Sequence, residues 1–193
     1  MVEIEVKIRF ERGAAEARSL IEQKGYVELE GRTLESDQIF DRATPELKNA
    51  DQLLRLRKSG SRATVTYKGP AARERYKSRE EIEFDVSDAG NLELVLKRLG
   101  YFPRFRYEKY RTKFRAPLEP GIVTVDETPI GVFLELEGPS SWIDETAARL
   151  GFDKAAYSTA SYAALYLEYL RSHEGAPPNM VFELQRTATR KDT

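Results

Sequence analysis

The chain has no cysteine, and that single absence removes disulfides, thiol catalysis and thiolate metal sites. It has one histidine, His173, near the end of a C-terminal helical pattern, where a surface role is expected. A zinc centre and a Ser-His triad are thereby excluded, so any metal must be a hard cation held by oxygen ligands. No run of about 18 apolar residues occurs, so no membrane-spanning helix is expected. No signal-like segment precedes the first strand pattern, which places the protein in the cytoplasm on this reading. Charge of one sign is not in excess either: 31 lysines and arginines face 32 aspartates and glutamates, for a formal net charge of −1. Nothing therefore suggests a nucleic-acid-binding surface or a basic patch drawn to membranes. The length of 193 residues fits one domain, or one domain and a tail.

What is present is charge in a strand rhythm. Met-Val-Glu-Ile-Glu-Val-Lys places Glu3, Glu5 and Lys7 at alternate positions with Val2, Ile4 and Val6 between them. Successive strand side chains point to opposite faces, so one face is apolar and the other charged. The pattern returns in Leu54-Arg55-Leu56-Arg57, in Thr64 to Lys68 and in Arg79 to Phe84. It returns again in Lys109 to Lys113, in Val123 to Asp126 and in Phe133 to Glu137, which makes seven such strands. Their polar faces collect Glu3, Glu5, Glu81, Glu83, Asp126, Glu135 and Glu137 as acids. Against these stand Lys7, Arg9, Arg55, Arg57, Lys68, Arg79, Lys109, Arg111 and Lys113.

Two arrangements accommodate this. An antiparallel sheet can cover its apolar face with helices and leave the charged face wet. Alternatively the sheet curls into a barrel, with charges lining the lumen and apolar residues facing outward into helices. Acids gather on the first and last strands and bases on the middle ones, which a merely solvated face does not require. That segregation favours the lined cavity, whose buried charges must be paired or bind something.

Helical stripes fill the intervals. Glu11 to Lys24 is expected to turn Ala14, Ala17, Leu20 and Ile21 inward and to stop at Gly25. Ser87 or Asp88 caps a second helix, with Leu92, Val95, Leu96 and Leu99 as its stripe before Gly100. Ser140 or Ser141 opens a third, through Ile143, Ala147 and Leu150 to Gly151. A fourth, from about Thr159 to His173, carries Tyr162, Leu165, Tyr166, Tyr169 and Leu170 toward the core. The domain is expected to span 1–173, with 174–193 as a loose tail or irregular surface strap.

Taken together, these elements resemble the CYTH superfamily, the triphosphate tunnel metalloenzymes, and within it the class IV adenylyl cyclase branch. The resemblance rests on Glu-x-Glu-x-Lys at 3–7, Gln-Ile-Phe-Asp at 38–41, Leu-Arg-Leu-Arg at 54–57 and Thr-Tyr-Lys-Gly at 66–69. Ser-Arg-Glu-Glu-Ile-Glu at 78–83, Lys-Tyr-Arg at 109–111, Asp126, Glu-Leu-Glu at 135–137 and Ser161-Tyr162 continue it in order. It implies an α+β fold: an eight-stranded antiparallel β-barrel, open-ended as a tunnel, with helices packed on its outside. It also implies Mg²⁺ or Mn²⁺ held by Glu3, Glu5, Asp126, Glu135 and Glu137. Lys7, Arg55, Arg57, Lys68, Arg79, Lys109 and Arg111 would surround the phosphates of ATP or tripolyphosphate. Glu81 and Glu83 would hold those bases in place or reach a second metal. Side-chain cations and metal thus stand in for a glycine-rich phosphate loop, which the chain lacks.

The resemblance leaves the reaction open between cyclisation of ATP and hydrolysis of a triphosphate, with cyclisation favoured by the motif series. A polyphosphate- or nucleotide-binding module without turnover is the third alternative. Lys7, Lys68, Lys109 and Arg111 are the catalytic candidates, with Lys7 or Lys68 serving as base if neighbouring cations lower its pKa. The protein works alone or as a homodimer on this reading. Bases packed in an empty lumen should repel one another, so Arg57→Ala or Lys109→Ala is expected to weaken binding and raise thermal stability slightly.

Overall fold

The computed structural model describes residues 2–73 and 75–182. Its elements, in chain order, are β1 (Val2–Phe10), α1 (Ala14–Gln23), β2 (Val27–Asp41), α2 (Glu46–Asn49) and β3 (Leu53–Ser59). β4 (Arg62–Lys68), β5 (Ala72–Arg73), β6 (Lys77–Asp85), α3 (Ala89–Arg98) and β7 (Phe102–Arg115) follow. β8 (Ile122–Thr128), β9 (Gly131–Glu137), α4 (Ser140–Arg149), β10 (Tyr157–Ser158) and α5 (Tyr162–Ser172) complete the series. The antiparallel wall runs β1-β9-β8-β7-β2-β3-β4-β6, and β6 returns to β1 through pairs from Val2↔Glu80 to Glu5↔Lys77. This is a closed eight-stranded barrel, with β5 and β10 as two-residue additions.

The seven strands legible in the sequence all lie in the wall, and β2 is the eighth. β2 pairs with β7 through register shifts at Glu28/Glu30 and Glu30/Thr33, and its first eight residues are exposed. Exposure of both faces and these bulges erase the alternation there.

Outward-facing apolar residues form the main core. Val6, Ile8 and Phe10 of β1, Val123 and Val125 of β8, and Leu134 and Leu136 of β9 pack against Ala17 and Ile21 of α1. Trp142, Ile143 and Ala147 of α4 complete this cluster. Each fully buried aliphatic side chain contributes about 1.5–3 kcal/mol. Trp142 fits only because its neighbours have no side chains: a Cβ at Gly121 would lie 2.3 Å from its ring, and one at Gly138 2.8 Å away.

The helix stops behave as a shared chemistry, since Gly25, Gly100 and Gly151 all hold positive φ near the ends of α1, α3 and α4. Asp88 caps α3 by accepting from the Asn91 N–H, and Ser161 caps α5 by accepting from the Ala164 N–H. α4 opens at Ser140 as expected, preceded by Pro139 and without a side-chain cap. One expectation needs correction. Val95 and Leu99 are 52% and 59% exposed, because α3 meets the Phe40–Leu56 part of the wall through Ala89, Leu92 and Leu96.

α5 lies over one end of the barrel. Tyr162 and Tyr166 pack there with Tyr107 of β7, Phe133 of β9 and Met180. Of the stretch expected as a tail, residues up to Phe182 are described. Met180 is fully buried and bridges to Tyr107, accepting from Glu108 N–H and donating to Arg106 C=O. Residues 183–193 lie outside the described residues. No helix among the described residues is long and apolar enough to cross a membrane.

Candidate active site: a charged tunnel

Strand register decides which side chains meet. Asp37 on β2 lies opposite Arg57 and Tyr107, Arg111 lies opposite Asp126, and Lys7 lies opposite Glu135. Opposed residues share a face, so all of these point into the barrel. Lys7, Arg57, Tyr107, Arg111 and Glu135 line a cavity of about 930 Å³ that carries ten basic and six acidic side chains, whereas Asp37 and Asp126 are fully buried and do not line it. The expected bases Lys7, Arg55, Arg57, Lys68, Arg79, Lys109 and Arg111 all line it, as do Glu3, Glu5, Glu81, Glu83, Glu135 and Glu137. Lys77, Lys113 and Arg115 join them. Arg9 instead pairs with Glu11 at 2.9 Å and lies over the Phe133 ring.

The segregation of acids and bases by strand does not hold. Glu35 and Asp37, which the sequence patterns did not single out, stand buried behind the bases of β3 and β7. Arg57 donates to Asp37 through Nε and Nη2 at 2.8 and 3.1 Å, and its Nη1 lies 3.1 Å from Glu35. Asp126 is fully buried and accepts from Lys109 at 2.8 Å, from Arg111 Nε and Nη2 at 2.6 Å and from the Tyr162 hydroxyl at 2.6 Å. Arg111 also meets Glu135. Lys7 lies 3.2 Å from Glu135 and 3.3 Å from Glu5, and Lys77 contacts Glu5 as well. Arg79 turns its donors to the Gly69, Lys68 and Asp51 carbonyls and so braces the wall at the end of β4.

These contacts set the ionisation states. Burial alone would push Glu35 up, but Lys109, Arg111 and Arg57 bring it down to about 2. The Asp37 carboxyl is likewise held low against burial, chiefly by Arg57. Burial opposes the ammonium of Lys7, yet Glu135 and Glu5 hold its pKa above the usual range. The condition for Lys7 to act as a base is therefore not met. Lys109 and Lys77 are the amines held down, by burial first and then by Arg111 and Lys7 respectively. Lys68 sits between Glu3 at 2.6 Å and Glu81 at 2.7 Å.

One rim behaves differently. Burial, a shared hydrogen bond with Glu81 and the nearby Glu5 raise Glu3 to about 7 despite Lys68. Glu137, directly across from Glu5, is also held above the usual carboxylate range, by burial and then by Glu3 and Glu135. Carboxylates crowded without enough counter-charge are a place where a cation lowers the energy. No three such side chains among the described residues converge into a ready-made cage. Mg²⁺ requires none, since it keeps several waters and binds through one or two carboxylates plus phosphate oxygens. Glu3 and Glu137, with Glu5 and Glu135 beside them, fit such a hard cation. The buried Thr124 hydroxyl and Arg55 Nε have no hydrogen-bond partner, although Arg55 Nε lies 3.7 Å from Asp37 Oδ1.

Fold and lumen together define a β-barrel built around a charged tunnel. The chain belongs to the CYTH domain family, whose sequence profile matches residues 1–189. It is 29% identical over 148 residues to a Methanocaldococcus jannaschii protein named "Putative adenylate cyclase MJ0240", covering 75% of this chain and 81% of that one. A "putative adenylate cyclase" from Vibrio parahaemolyticus superposes with a TM-score of 0.74 at 18% identity, over 90% of this chain and 99% of the other. A Hippeastrum "putative adenylyl cyclase", described as having a dominant triphosphatase activity, superposes with a TM-score of 0.64 at 16% identity, over 86% and 96% of the two chains.

Proposed function

We propose that the protein is a metal-dependent enzyme that holds a triphosphate in the tunnel and cyclises ATP to cyclic AMP and pyrophosphate. The carrying observation is the ring of ten bases around one lumen, with under-compensated carboxylates Glu3 and Glu137 at its rim. Phosphoryl chemistry of this kind depends on position and charge neutralisation more than on covalent catalysis. Lys7, Arg55, Arg57, Lys68, Lys109 and Arg111 would grip the phosphate oxygens, with Arg79 steadying the loop behind them. Glu3 and Glu137, assisted by Glu5 and Glu135, would hold Mg²⁺ or Mn²⁺, which supplies charge neutralisation at the phosphates. Asp126, with every donor around it engaged, serves on this reading as the organiser of Lys109 and Arg111.

In cyclisation the 3′-oxygen of ATP bonds to the α-phosphorus, the bond from that phosphorus to the bridging oxygen breaks, and pyrophosphate leaves. The hydroxyl proton needs an acceptor, and Lys109 and Lys77 are the two lumen amines whose pKa is held below the usual range. The cavity also reaches Pro120, Ile122 and Pro139, an apolar rim that inorganic phosphate does not need and a nucleoside can use. That rim supports ATP over inorganic tripolyphosphate. Hydrolysis of tripolyphosphate, or of a nucleoside or thiamine triphosphate, is the competing reading.

Purified protein incubated with Mn²⁺ and either ATP or tripolyphosphate, followed by chromatography, separates the two. Cyclic AMP with equimolar pyrophosphate from ATP is the expected result. Orthophosphate from tripolyphosphate with no cyclic nucleotide would replace cyclisation by hydrolysis.

A further inference from the structure

The Tyr162 hydroxyl enters the tunnel from α5 rather than from the wall. Its donor reaches Asp126 Oδ2 at 2.6 Å, the same oxygen that accepts Lys109 Nζ at 2.8 Å and Arg111 Nη2 at 2.6 Å. The ring lies 5.0 Å from the Lys109 ammonium and 5.2 Å from that of Lys7. Phe133 meets it edge-on at 5.6 Å, and Tyr107 packs at 5.9 Å, so the ring is fixed within an aromatic cluster. Its first-turn position is fixed in turn by the Ser161 cap and by Tyr166, whose hydroxyl donates to the Pro177 carbonyl at 2.6 Å.

The donors around Asp126 are therefore of two kinds. Lys109 and Arg111 are long side chains that an anion in the tunnel would attract away from the carboxylate. Tyr162 is short, rigid and packed, and it is the one donor in the set with no charge to offer the anion. We propose that Tyr162 is a positioning residue: its hydroxyl fixes the Asp126 carboxylate so that Lys109 and Arg111 keep their aim when a triphosphate enters. The proposal deepens the triphosphate reading and rests on it. It also makes the seating of α5 a condition for the geometry of a site built on strands.

The test is a double-mutant cycle on the full chain, with Mg²⁺-tripolyphosphate affinity measured by calorimetry and turnover measured per folded molecule. Tyr162→Phe keeps the ring and its packing and removes only the hydroxyl. Misplacement of about 1 Å can cost about 100-fold, so kcat is expected to fall about 10- to 100-fold. Tripolyphosphate affinity should change far less, because the cations themselves remain. In an Asp126→Asn background the same change should cost almost nothing, since coupled residues are not additive. Equal losses in both backgrounds overturn the proposal, as does an unchanged kcat for Tyr162→Phe, which decides alone if Asp126→Asn does not fold. A parent protein that neither binds nor turns over a triphosphate fails the underlying reading, and the proposal falls with it. A parent that works and a Tyr162→Phe that matches it sinks only the proposal.

Discussion

Glu137→Ala is expected to abolish turnover while leaving the fold intact. The Glu137 side chain makes no hydrogen bond or ion pair with the described residues, faces Glu5 across the β1–β9 pair and is held above the usual carboxylate range. On the proposed reading its remaining task is the cation. Even outer partners of a metal ligand are worth about 10- to 100-fold in metal affinity, so loss of the ligand itself should cost at least that. EDTA should do the same to the parent, with Mg²⁺ or Mn²⁺ restoring activity. Stability should move the other way. A carboxyl with a raised folded-state pKa takes up protons more readily when folded, so the parent loses stability as pH rises from the ordinary carboxylate value through the raised one. Alanine carries no such cost. The melting temperature of Glu137→Ala relative to the parent, both without metal, should therefore increase from pH 5 to pH 8. Full turnover in EDTA, or an inactive variant that is also unfolded, would contradict the assignment.

Arg57→Ala is expected to destabilise the protein strongly, the reverse of what self-repulsion in an empty lumen implies. Arg57 is the hydrogen-bonded partner of Asp37, which is fully buried, and lies 3.1 Å from Glu35. Removing one member of such a set leaves an uncompensated buried charge and costs about 3–5 kcal/mol. At about 2–4 °C per kcal/mol for a chain of this size, the melting temperature should fall by roughly 6–20 °C. The loss should shrink in acid. Carboxylates with depressed pKa contribute stability that is fully present above their unfolded value of 4.5 and lost as pH falls toward about 2, the value for Glu35. Lys109→Ala should cost less, since Asp126 would keep the Arg111 guanidinium and the Tyr162 hydroxyl. Differential scanning calorimetry at pH 7 and pH 3 checks both the size and the direction, and an unchanged or higher melting temperature at pH 7 would refute the buried pairing.

The difference between expectation and structure at Arg57 has one source, β2. Strands β1, β3, β7 and β9 announce themselves because charged and apolar residues alternate strictly, and one face of each is dry. Val27–Asp41 has no such rhythm: its first eight residues are exposed, bulges reset its register, and Gln38-Ile39-Phe40-Asp41 reads as a motif rather than a strand end. Glu35 and Asp37 were hidden in that stretch, although their period-two spacing just ahead of Gln38 is the signal that could have found them. Without them the middle of the barrel looks purely basic. Lys77 was missed for a related reason, since it opens β6 after a turn and alternates with Arg79 only once β6 is extended backwards. Tyr162 was visible as part of a helical aromatic stripe, and its spacing is that of core packing. That its hydroxyl meets Asp126 depends on α5 lying over the barrel end, a tertiary fact with no local trace.

Thermal unfolding with and without millimolar Mg²⁺-tripolyphosphate tests the triphosphate tunnel most directly, because binding to the folded state alone must raise its stability. At a ligand concentration of about 100 times Kd the gain is about 2.7 kcal/mol, or roughly 5–10 °C for a chain of this size. The account predicts that rise in the parent protein. An unchanged melting temperature at millimolar ligand and metal would mean that the charged lumen does not hold a triphosphate.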